Sequence, residues 1–584
     1  MKKIDNVCLN IDNLNEDVEL YGWVAKKRDL GGLVFIDLRD RTGIIQLVIN
    51  PDNEDYELAS SLKNESVIKV FGKVSKRENA NKNIRTGEIE IIVDKLELIN
   101  SSIDLPFEIC DNTTALEDTR LKYRYLDLRR ESLKNKIITR SKIMKVTRDF
   151  LADNGFIEIE TPILCKSTPE GARDYLVPSR INKGSFYALP QSPQIFKQLL
   201  MVADFEKYFQ IAKCFRDEDL RADRQPEFTQ VDVEMSFVDE DDVMTIGETL
   251  VADIFKQVKN YDVKLPLRRM KYDDAIAKYG SDKPDLRFDM PICDITKIFN
   301  DTGITFFKEC INNGGIINCL VVKNQASNYS RKEIDKLTDY VKAYKANGLS
   351  FLKISDEITG SIAKGINDIE KSSLIKELNL ENNDLVLIVC GAYNIVKTSL
   401  GSLRCRLGKE LKLIKDDVYE MLWVTDFPVF EYSELEQRFL ACHHPFTAPR
   451  DCDVSKLLTD KANCYAKAYD IVINGYEAGG GSIRIHDEQV QETMFEALGF
   501  TKEEAMEKFG FLINAFKYGT PPHGGFALGL DRLTMLLTNT DNIRDVIAFP
   551  KTASASCLLT EAPNIVDSKQ LDELGININN ERSN

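Results

Sequence analysis

The side chains most able to do chemistry lie in a predicted hairpin near the middle of the chain. The sequence reads Phe-Arg-Asp-Glu at 215–218 and, after a charged loop, Gln-Pro-Glu-Phe-Thr-Gln-Val-Asp-Val-Glu-Met at 225–235. Strand side chains alternate between two faces, so the return strand is predicted to carry Phe228, Gln230, Asp232 and Glu234 on one face and Val231, Val233 and Met235 on the other. A carboxylate-rich face that an arginine enters from the partner strand suits a cationic or metal-bound ligand. An antiparallel hairpin with one solvated face gives the same pattern, so this hairpin alone leaves both interpretations open.

A second candidate is the glycine-bearing segment Gly-Gly-Phe-Ala-Leu-Gly-Leu-Asp-Arg-Leu at 524–533. The pattern predicts a strand that runs into a helix, with Gly525 and Gly529 allowing close approach of the backbone to a ligand. Arg532 then falls on the first helical turn, where its guanidinium can stack on a base or clamp a phosphate. The pattern lacks the Gly-Lys-Ser/Thr of a Walker A loop, and glycines in such a segment often only pack a helix against a strand.

Further charged residues come from the last third of the chain. Asp470 on a predicted strand and Glu477 before a run of three glycines offer hard oxygen ligands that suit Mg²⁺ bridging to a triphosphate. A strand-end hydrogen bond is the plainer role for Asp470 alone. Arg484, between two apolar residues, needs a carboxylate partner, which a carboxylate substrate would supply. The adjacent His443 and His444 could contact that ligand, and their spacing on a strand does not favour zinc.

Size and composition limit the classes of protein to consider. The chain has 584 residues, 43% of them hydrophobic, which predicts several globular domains. No apolar stretch approaches the ~20 residues that span a membrane, and the first residues lack the apolar core of a signal peptide. The 13 cysteines are irregularly spaced without a Cys-x-x-Cys pair, so we expect neither a disulfide framework nor a zinc site, and a reducing cytoplasm is favoured. The net charge of −16 argues against nucleic-acid binding through bulk charge, although basic clusters occur at 26–28 and 120–136.

The elements that must position these residues follow from hydrophobic periodicity. Five short strands with glycine-bearing turns between 18 and 100 predict a small β-barrel, with an OB-fold as the leading candidate. On that barrel Phe35 and Gln46 would suit base stacking and base-edge reading of single-stranded nucleic acid. A place in the barrel core is the plainer interpretation of Phe35 taken alone.

The remainder of the chain predicts a mixed fold. A helix is expected over 135–153 and a strand over 156–161, ended by Pro162. Alternating strands and helices between 285 and 407 indicate an inserted α/β domain. Further strands are expected at 420–427, 465–474 and 477–484, and a mobile tail is expected after about residue 563.

Together these segments resemble the class II aminoacyl-tRNA synthetases, and more closely the bacterial-type aspartyl-tRNA synthetases. The strand ending at Pro162, the 215–218 hairpin and the segment ending in Arg532 resemble the three ordered class II signatures, whereas the class I signatures are absent. The finer resemblance rests on Ser-Thr-Pro-Glu-Gly-Ala-Arg-Asp at 167–174, Gln-Ser-Pro-Gln-Ile-Phe-Lys-Gln at 191–198, His-His-Pro-Phe at 443–446 and Gly-Gly-Gly-Ser-Ile-Arg at 479–484.

The resemblance implies a multidomain α+β protein. Its parts are an OB-fold anticodon-binding domain (1–104), a connector (105–134), a catalytic core on an antiparallel sheet with flanking helices (135–284 and 409–562), an inserted GAD-type domain (285–408) and a C-terminal extension (563–584). It also implies a cytoplasmic, non-membrane homodimer that uses ATP, Mg²⁺, L-aspartate and the aspartate tRNA.

The resemblance further implies a role for each candidate residue. Arg216, Glu218 and Arg532 would be catalytic, and Asp470 and Glu477 would hold Mg²⁺. ATP would contact Arg216, Asp217, Glu218, Gln225, Phe228, Glu477, Gly529, Leu530, Asp531 and Arg532. Aspartate would contact Glu170, Ser192, Gln194, Lys197, Arg216, Asp232, His443, His444 and Arg484. The anticodon would contact Arg28, Leu30, Phe35 and Gln46.

The resemblance favours an enzyme that charges only the aspartate tRNA with aspartate, and three alternatives to it stay open. A relaxed enzyme would also charge the asparagine tRNA. A paralogue that only binds RNA would have no need of Arg216, Glu218, Glu477 and Arg532 together, and a tRNA-independent amide ligase would not need the barrel. Relaxed relatives typically carry histidine where this chain has Leu30. Because leucine offers no hydrogen bond to the third anticodon base, we expect a preference for the aspartate tRNA.

Overall fold

The computed structural model describes residues 4–168, 171–218, 220, 223–415, 417–434 and 436–578. The chain divides into two compact units, Met1–Thr119 and Arg120–Asn584. None of the helices within these described ranges is long and apolar enough to cross a membrane.

The first unit is a closed five-stranded barrel with strand order β1-β2-β3-β5-β4. Its elements are β1 (Asp17–Asp29), β2 (Val34–Arg39), β3 (Ile44–Ile49), α1 (Tyr56–Ser61), β4 (Val67–Lys76) and β5 (Ile89–Asn100). Alternation along β2 buries Val34, Ile36 and Leu38 in the barrel and turns the side chains between them outward. The predicted barrel is confirmed, and the core position considered for Phe35 is wrong because Phe35 lies on the outer face.

The second unit contains an eight-stranded sheet in the order β11-β17-β20-β21-β22-β10-β9-β6. The helix α2 (Glu117–Lys122) spans the division between the units. The elements that follow it are α3 (Arg124–Asp127), α4 (Glu131–Asp153), β6 (Ile157–Glu158), β7 (Leu176–Pro178), β8 (Phe186–Ala188), α5 (Gln194–Val202), β9 (Lys207–Phe215), β10 (Glu227–Ser236), α6 (Glu240–Lys259), β11 (Arg268–Lys271) and α7 (Tyr272–Tyr279).

A smaller sheet is inserted between α7 and the rest of the large sheet. Its strands and the helices that accompany them are β12 (Cys293–Asp294), α8 (Thr305–Asn312), β13 (Ile316–Val322), α9 (Arg331–Lys342), β14 (Ser350–Lys353), β15 (Thr359–Gly360), α10 (Asp368–Glu377), β16 (Leu385–Gly391) and α11 (Tyr393–Glu410). The strand order is β12-β13-β16-β14-β15, and the pairs are antiparallel. Strands alternate with helices as the sequence indicates, and separate apolar clusters cover the two faces of the sheet.

The chain then returns to the large sheet. The remaining elements are β17 (Met421–Thr425), β18 (Phe430–Ser433), β19 (Arg438–Ala441), α12 (Lys456–Thr459), β20 (Ala468–Ile473), β21 (Tyr476–Ile483), α13 (Glu488–Ala497), α14 (Lys502–Phe516), β22 (His523–Gly529), α15 (Leu530–Leu537) and α16 (Ser568–Leu574). Most pairs in the large sheet are antiparallel, as predicted, and the edge pairs β11–β17 and β6–β9 are parallel.

The strand β10 is buried on both faces. Val231, Val233 and Met235 point into the main apolar core with α4, α6 and α15. Asp232 and Glu234 on the opposite face are also buried. The interpretation of this hairpin as one with a solvated face is therefore wrong, and its carboxylates must find partners inside the protein.

Two predicted elements differ in extent. The strand expected over 156–161 pairs only over β6, at the edge of the sheet beside β9. The helix expected from residue 135 begins at Glu131. The segment after residue 563, expected to be mobile, contains the helix α16, and none of its residues described up to 578 is buried.

Candidate active site

The first part of the site is a cavity of about 220 Å³ at the ends of β9, β10, β21 and β22. Most of the residues predicted to contact ATP line it: Arg216, Glu218, Gln225, Phe228, Glu477, Gly529, Asp531 and Arg532. They come from segments separated by up to about 300 residues, so the antiparallel sheet is what brings them together. We call this cavity the nucleotide pocket.

The hairpin supplies one wall of the nucleotide pocket. The guanidinium of Arg216 lies over the ring of Phe228, with 5.1 Å between the guanidinium carbon and the ring centroid, which holds the cation by a cation–π contact. Glu218 pairs with Arg224 at 2.7 Å. Arg224 and Gln230 also line the cavity, and the sequence analysis did not include them in the site.

Arg532 supplies the opposite wall. It occupies the first turn of α15, as predicted, directly after the β22 strand. Its Nη1 donates to the carbonyl of Glu477 at 2.6 Å and its Nη2 lies 3.3 Å from the carboxylate of Asp223. Its Nε is buried without a hydrogen-bond partner among the described residues. A cation at a helix N-terminus with a free buried donor suits an anionic ligand such as a phosphate.

Four of the residues predicted to contact ATP also have partners within the protein. Asp217 faces Arg173, with 3.7 Å between the charged groups. Leu530 is fully buried in the main core. Asp531 pairs with Arg140 and accepts the backbone N–H of Thr229 at 2.8 Å. The amide of Gln225 is bonded on both sides to the backbone of Lys551 at 2.8 and 3.0 Å, so it shapes the pocket while its side-chain amide is occupied.

The second part of the site is a buried ion cluster next to the nucleotide pocket along β10. It consists of Lys197, Asp232, Glu234 and Arg484, whose side chains are 3%, 1%, 0% and 2% exposed. Lys197 Nζ lies 2.7 Å from Asp232 and 3.3 Å from Glu234. Arg484 binds both oxygens of Glu234 at 2.9 and 3.1 Å. Glu234 was not included among the predicted site residues, although its alternation with Asp232 placed it on the same face.

The two carboxyl groups of the ion cluster differ in acidity. Burial raises the pKa of Asp232 above its ordinary value, against the attraction of Lys197. Burial also acts to raise the pKa of Glu234, but Arg484 and Lys197 outweigh it and hold that pKa below its ordinary value. Asp232 therefore takes up a proton more readily than Glu234. Lys197 and Arg484 place two cationic groups in the cluster, beside which a ligand carboxylate could bind.

His444 extends the ion cluster through Arg484. Its Nε2 lies 2.8 Å from Nη1 of Arg484, and burial followed by the charge of Arg484 lowers the pKa of His444 well below its ordinary value. A guanidinium only donates hydrogen bonds, so Nε2 accepts. On the other side of the ring, Nδ1 lies 3.2 Å from the backbone N–H of Phe446 and 3.3 Å from Thr447 Oγ1. The same Nη1 donates to Ser482 at 2.7 Å. The arginine is thus fixed from three directions.

Two buried polar atoms beside the ion cluster have no hydrogen-bond partner within the described ranges: Asp232 Oδ2 and Gln194 Nε2. Gln194 begins α5, and its backbone N–H donates to Ser192 at 3.3 Å. Buried polar atoms are normally paired, so these atoms mark a place for a polar ligand. The predicted aspartate contact Glu170 lies outside the described residues.

The predicted metal ligands lie on adjacent strands. Asp470 on β20 is opposite Gly480 of β21, and Glu477 lies at the start of β21. Removal from water, and then the nearby Asp470 carboxylate, raise the pKa of Glu477. Lys283 lies 3.6 Å from Glu477. No group of three or more metal-ligating side chains occurs among the residues whose placement is described.

His443 faces this carboxylate pair rather than the ion cluster. Its Nε2 is 3.7 Å from Asp470. Burial disfavours the imidazolium, but hydrogen bonds with Asp470 and Cys442 outweigh burial and raise the pKa of His443 to about 10. The two adjacent histidines thus have opposite protonation. His443 contacts Asp470 in the structure, and its contact with the aspartate ligand stays a prediction.

Two glycines let the backbone approach the charged groups. A Cβ at Gly480 would overlap the carboxylate of Asp470, and a Cβ at Gly525 would overlap the carboxylate of Glu234 and the carbonyl of Val233. We call these two positions the glycine floor. Their close approach is the reason that this part of the sheet carries glycine.

The predicted anticodon contacts lie together on the outer face of the barrel in the first unit. Arg28 pairs with Asp37 at 2.9 Å and also contacts Gln46 at 3.3 Å. Gln46 is 4% exposed and donates to Glu90 at 2.9 Å, so its amide is occupied and would have to exchange partners to read a base. Phe35 is half-buried beside Arg28, and Leu30 at the turn is 70% exposed.

Comparison with known proteins decides the family. Residues 116–553 match the family described as tRNA synthetases class II (D, K and N), and residues 18–99 match the OB-fold nucleic acid binding domain. The chain belongs to the class II tRNA synthetases. The pairing of this catalytic core with an OB-fold barrel is the one that the sequence resemblance predicted, and it is confirmed.

Similar class II synthetases cover nearly the whole chain. An aspartate–tRNA ligase of Macrococcus caseolyticus is 55% identical over 98% of this chain and 97% of its own length. An aspartate–tRNA(Asp/Asn) ligase of Anoxybacillus flavithermus is 54% identical over 97% and 96%. Among solved structures, the aspartyl-tRNA synthetase of Entamoeba histolytica has a TM-score of 0.57 at 20% identity over 94% of this chain and 91% of its own. The asparaginyl-tRNA synthetase of Pyrococcus horikoshii has a TM-score of 0.59 at 19% identity over 94% and 98%.

Proposed function

We propose that this chain is an aspartate–tRNA ligase. The observation that carries the proposal is the placement of two sites on one face of β10. Phe228 and Gln230 line the nucleotide pocket, and Asp232 and Glu234 continue along the same face into the ion cluster. Two residues of a strand span about 7 Å. An amino acid held in the ion cluster would therefore lie beside the α-phosphate of a nucleotide in the pocket.

The reaction has two steps. An oxygen of the aspartate α-carboxylate attacks the α-phosphorus of ATP, the bond to the β-phosphate oxygen breaks, and pyrophosphate leaves. A hydroxyl of the terminal adenosine of the tRNA then attacks the carbonyl carbon, and AMP leaves. We assign Arg216 to the α-phosphate and the α-carboxylate, and Arg532 to the terminal phosphate. Positioning and charge stabilisation supply the rate, because the protein does no covalent work.

The ion cluster supports aspartate over asparagine. We assign Lys197 and Arg484 to the side-chain carboxylate of aspartate, and Ser192, Gln194, Asp232 and Glu170 to its ammonium group. An asparagine amide carries no charge to pair with Lys197 and Arg484. Sites that leave a buried charged group unpaired reject such analogues strongly.

The carboxylates Asp470 and Glu477 fit a magnesium ion that enters with the nucleotide. Burial and the nearby carboxylate of Asp470 raise the pKa of Glu477. A divalent cation would relieve the repulsion between these two carboxylates, and Mg²⁺ is commonly held by one or two carboxylates together with substrate phosphates. When bound, the ion would neutralise charge on the phosphates. Lys283 and the protonated His443 supply the positive charge to these carboxylates from the protein itself.

A symmetric homodimer is supported by exposed apolar side chains near the start of the second unit. Ile138 on α4, Ile157 on β6, and Ile163 and Leu164 after it are 40–53% exposed. Contiguous exposed apolar surface marks an interaction site, and most homo-oligomers use one self-complementary patch across a two-fold axis. We propose that this surface is the dimer interface.

We also propose the domain limits and location expected from the sequence. The sheet of the inserted domain falls within 285–408, and the helix α4 and the strand β17 fall within the two parts of the core, 135–284 and 409–562. A cytoplasmic location agrees with the thirteen cysteines, all of which are free thiols. The tRNA-binding role falls to the barrel (1–104), followed by the connector (105–134).

The test is exchange of labelled pyrophosphate into ATP, followed by charging of purified tRNAs. We expect exchange that depends on aspartate and is not supported by asparagine. Exchange with another amino acid in place of aspartate would contradict the proposal. Charging of the aspartate tRNA in the second assay separates a complete ligase from an enzyme that only forms the adenylate.

A further inference from the structure

Two cysteines face each other in the sheet of the inserted domain. Cys293 of β12 is the direct antiparallel partner of Cys319 of β13. Direct partners have Cα atoms about 4.5–5.5 Å apart and side chains on one face of the sheet, a separation that a disulfide spans without backbone movement. Both side chains belong to the same apolar cluster, with Cys319 fully buried and Cys293 partly exposed.

The surroundings of the pair favour an ionised Cys293. A hydrogen bond from the Cys319 thiol lowers the pKa of Cys293 to about 7, and Lys397 adds to this effect against burial and Asp289. Burial lowers the pKa of Lys397, on α11, while Asp294, the neighbour of Cys293, and Cys293 itself act to keep it charged. The pKa of Cys319 is raised well above its ordinary value by its bond to Cys293 and by burial. The pair thus joins an accessible nucleophilic sulfur to a buried protonated thiol.

We propose that Cys293 and Cys319 form a reversible disulfide when the protein meets a peroxide. The Cys293 thiolate attacks one peroxide oxygen, the O–O bond breaks, and Cys293 becomes a sulfenic acid while hydroxide leaves. The sulfur of Cys319 then attacks the sulfur of Cys293, the S–O bond breaks, and the departing hydroxide takes the Cys319 proton as water. One peroxide is reduced as two thiols are oxidised, and a small dithiol reductant reverses the change. A partly exposed thiol with a low pKa, next to a second cysteine that can complete the disulfide, is the arrangement that suits reversible oxidation.

The disulfide would hold the first strand of the inserted domain, β12, in place against β13. Cys293 follows the segment that leads from the large sheet, and Arg404 holds that segment through the carbonyls of Phe288 at 2.8 Å and Met290 at 3.0 Å. The short strand β12 is at the edge of its sheet, where pairing is weakest. Oxidation would join this edge strand covalently to β13.

The same face of the sheet provides a matched control. Cys390 on β16 lies against Cys310 of α8, and burial followed by Cys310 raises the pKa of Cys390 to about 12. Cys390 is therefore a partly buried cysteine, as Cys293 is, whose thiol stays protonated near neutral pH. Cys452 is an exposed thiol elsewhere in the chain and reports ordinary surface oxidation.

The experiment treats the reduced full-length protein with a small excess of hydrogen peroxide, blocks the remaining thiols, digests under non-reducing conditions and analyses the peptides by mass spectrometry. We expect a peptide linked through Cys293 and Cys319, formed about tenfold or more faster than oxidation at Cys390, and lost on treatment with dithiothreitol. In Cys319→Ser, whose hydroxyl can still donate a hydrogen bond to Cys293 but cannot form a disulfide, Cys293 should remain a sulfenic acid that dimedone traps. In Cys390→Ser, used as the matched control, the link should form as in the wild type.

Three results would overturn the proposal. One is recovery of both Cys293 and Cys319 as blocked thiols after a dose that oxidises Cys452. Another is a cross-link of Cys293 to several cysteines in similar yield. The third is formation of no dimedone adduct at Cys293 in Cys319→Ser, provided that circular dichroism shows this variant to be folded. Aspartate-dependent pyrophosphate exchange by the reduced protein stays a separate measurement, so failure here would leave the proposed function untouched.

Discussion

The substitution Glu234→Gln tests the ion cluster most directly. It keeps the shape of the side chain and removes one of the two negative charges that face Lys197 and Arg484. Glu234 is fully buried and binds Arg484 through both oxygens. Breaking a buried pair by removing one partner costs about 3–5 kcal/mol, because the remaining charge is left without compensation. We expect the second unit to unfold at a clearly lower temperature in scanning calorimetry.

The sign of the ligand effect distinguishes this explanation from a simple packing defect. Loss of Glu234 leaves the cluster with an unpaired positive charge, which the carboxylate of bound aspartate would offset. Saturating aspartate should therefore raise the unfolding temperature of Glu234→Gln by more than it raises that of the wild type, and the KM for aspartate should fall with the tighter binding. The kcat should nevertheless decrease, because Arg484 loses the bidentate contact that orients it.

The pH dependence follows from the lowered pKa of Glu234. A carboxyl whose folded-state pKa is depressed stabilises the fold above its unfolded pKa, here about the ordinary value of 4.5, and loses that contribution as pH falls through the folded pKa. The stability difference between wild type and Glu234→Gln should thus be full at neutral pH and shrink below about pH 4.5. Glu436→Gln is the control, because its partner Arg438 and Glu436 itself are exposed. An unfolding temperature and an aspartate KM that both equal those of Glu436→Gln would refute the reasoning.

Four further predictions concern the reaction and its partners. Arg216→Ala should lower aspartate-dependent pyrophosphate exchange by about 100-fold or more, since a buried charge contact in a transition state is worth about 3 kcal/mol; near-normal exchange in a folded variant would contradict the assignment. Light scattering at micromolar concentration should give twice the chain mass of 66.4 kDa, and a fully active monomer would exclude the dimer. Metal analysis after dialysis should find no magnesium without nucleotide, whereas a tightly held ion at Asp470 and Glu477 in the free protein would disagree. With Leu30 at the barrel turn, charging of the aspartate tRNA should show a higher kcat/KM than charging of the asparagine tRNA, and comparable values would indicate a relaxed enzyme.

Local periodicity was enough to predict most of the strands that carry the site. The alternation along β10 assigned Asp232 and Glu234 to one face correctly. It did not show that this face is buried, because the residues that cover it, Lys197 and Arg484, are 35 and 250 positions away from their partners on β10. Burial of a strand face depends on such distant contacts, and periodicity within the strand contains no information about them.

Two errors in the sequence interpretation have local causes. The core position considered for Phe35 taken alone rested on its apolar character, while the alternation of Val34, Ile36 and Leu38 already indicated that it points outward. The 20-residue helix α6 was not predicted, although the capping box of Asp239 and Asp242 marks its start. The opposite protonation of His443 and His444 had no sequence signal, because it arises from Asp470 on one side and Arg484 on the other.

The glycine floor has a consequence for inhibition of the enzyme. At Gly480 and Gly525 every other residue would place a Cβ on a carboxylate that the proposed reaction uses. A compound that binds the carboxylates lying on these two glycines would thus meet groups that a single substitution at Gly480 or Gly525 cannot reshape without displacing Asp470 or Glu234. Resistance to such a compound would have to arise in the side chains around the site, where Arg224 and Gln230 line the nucleotide pocket. Those two positions are where we would look first for resistant variants.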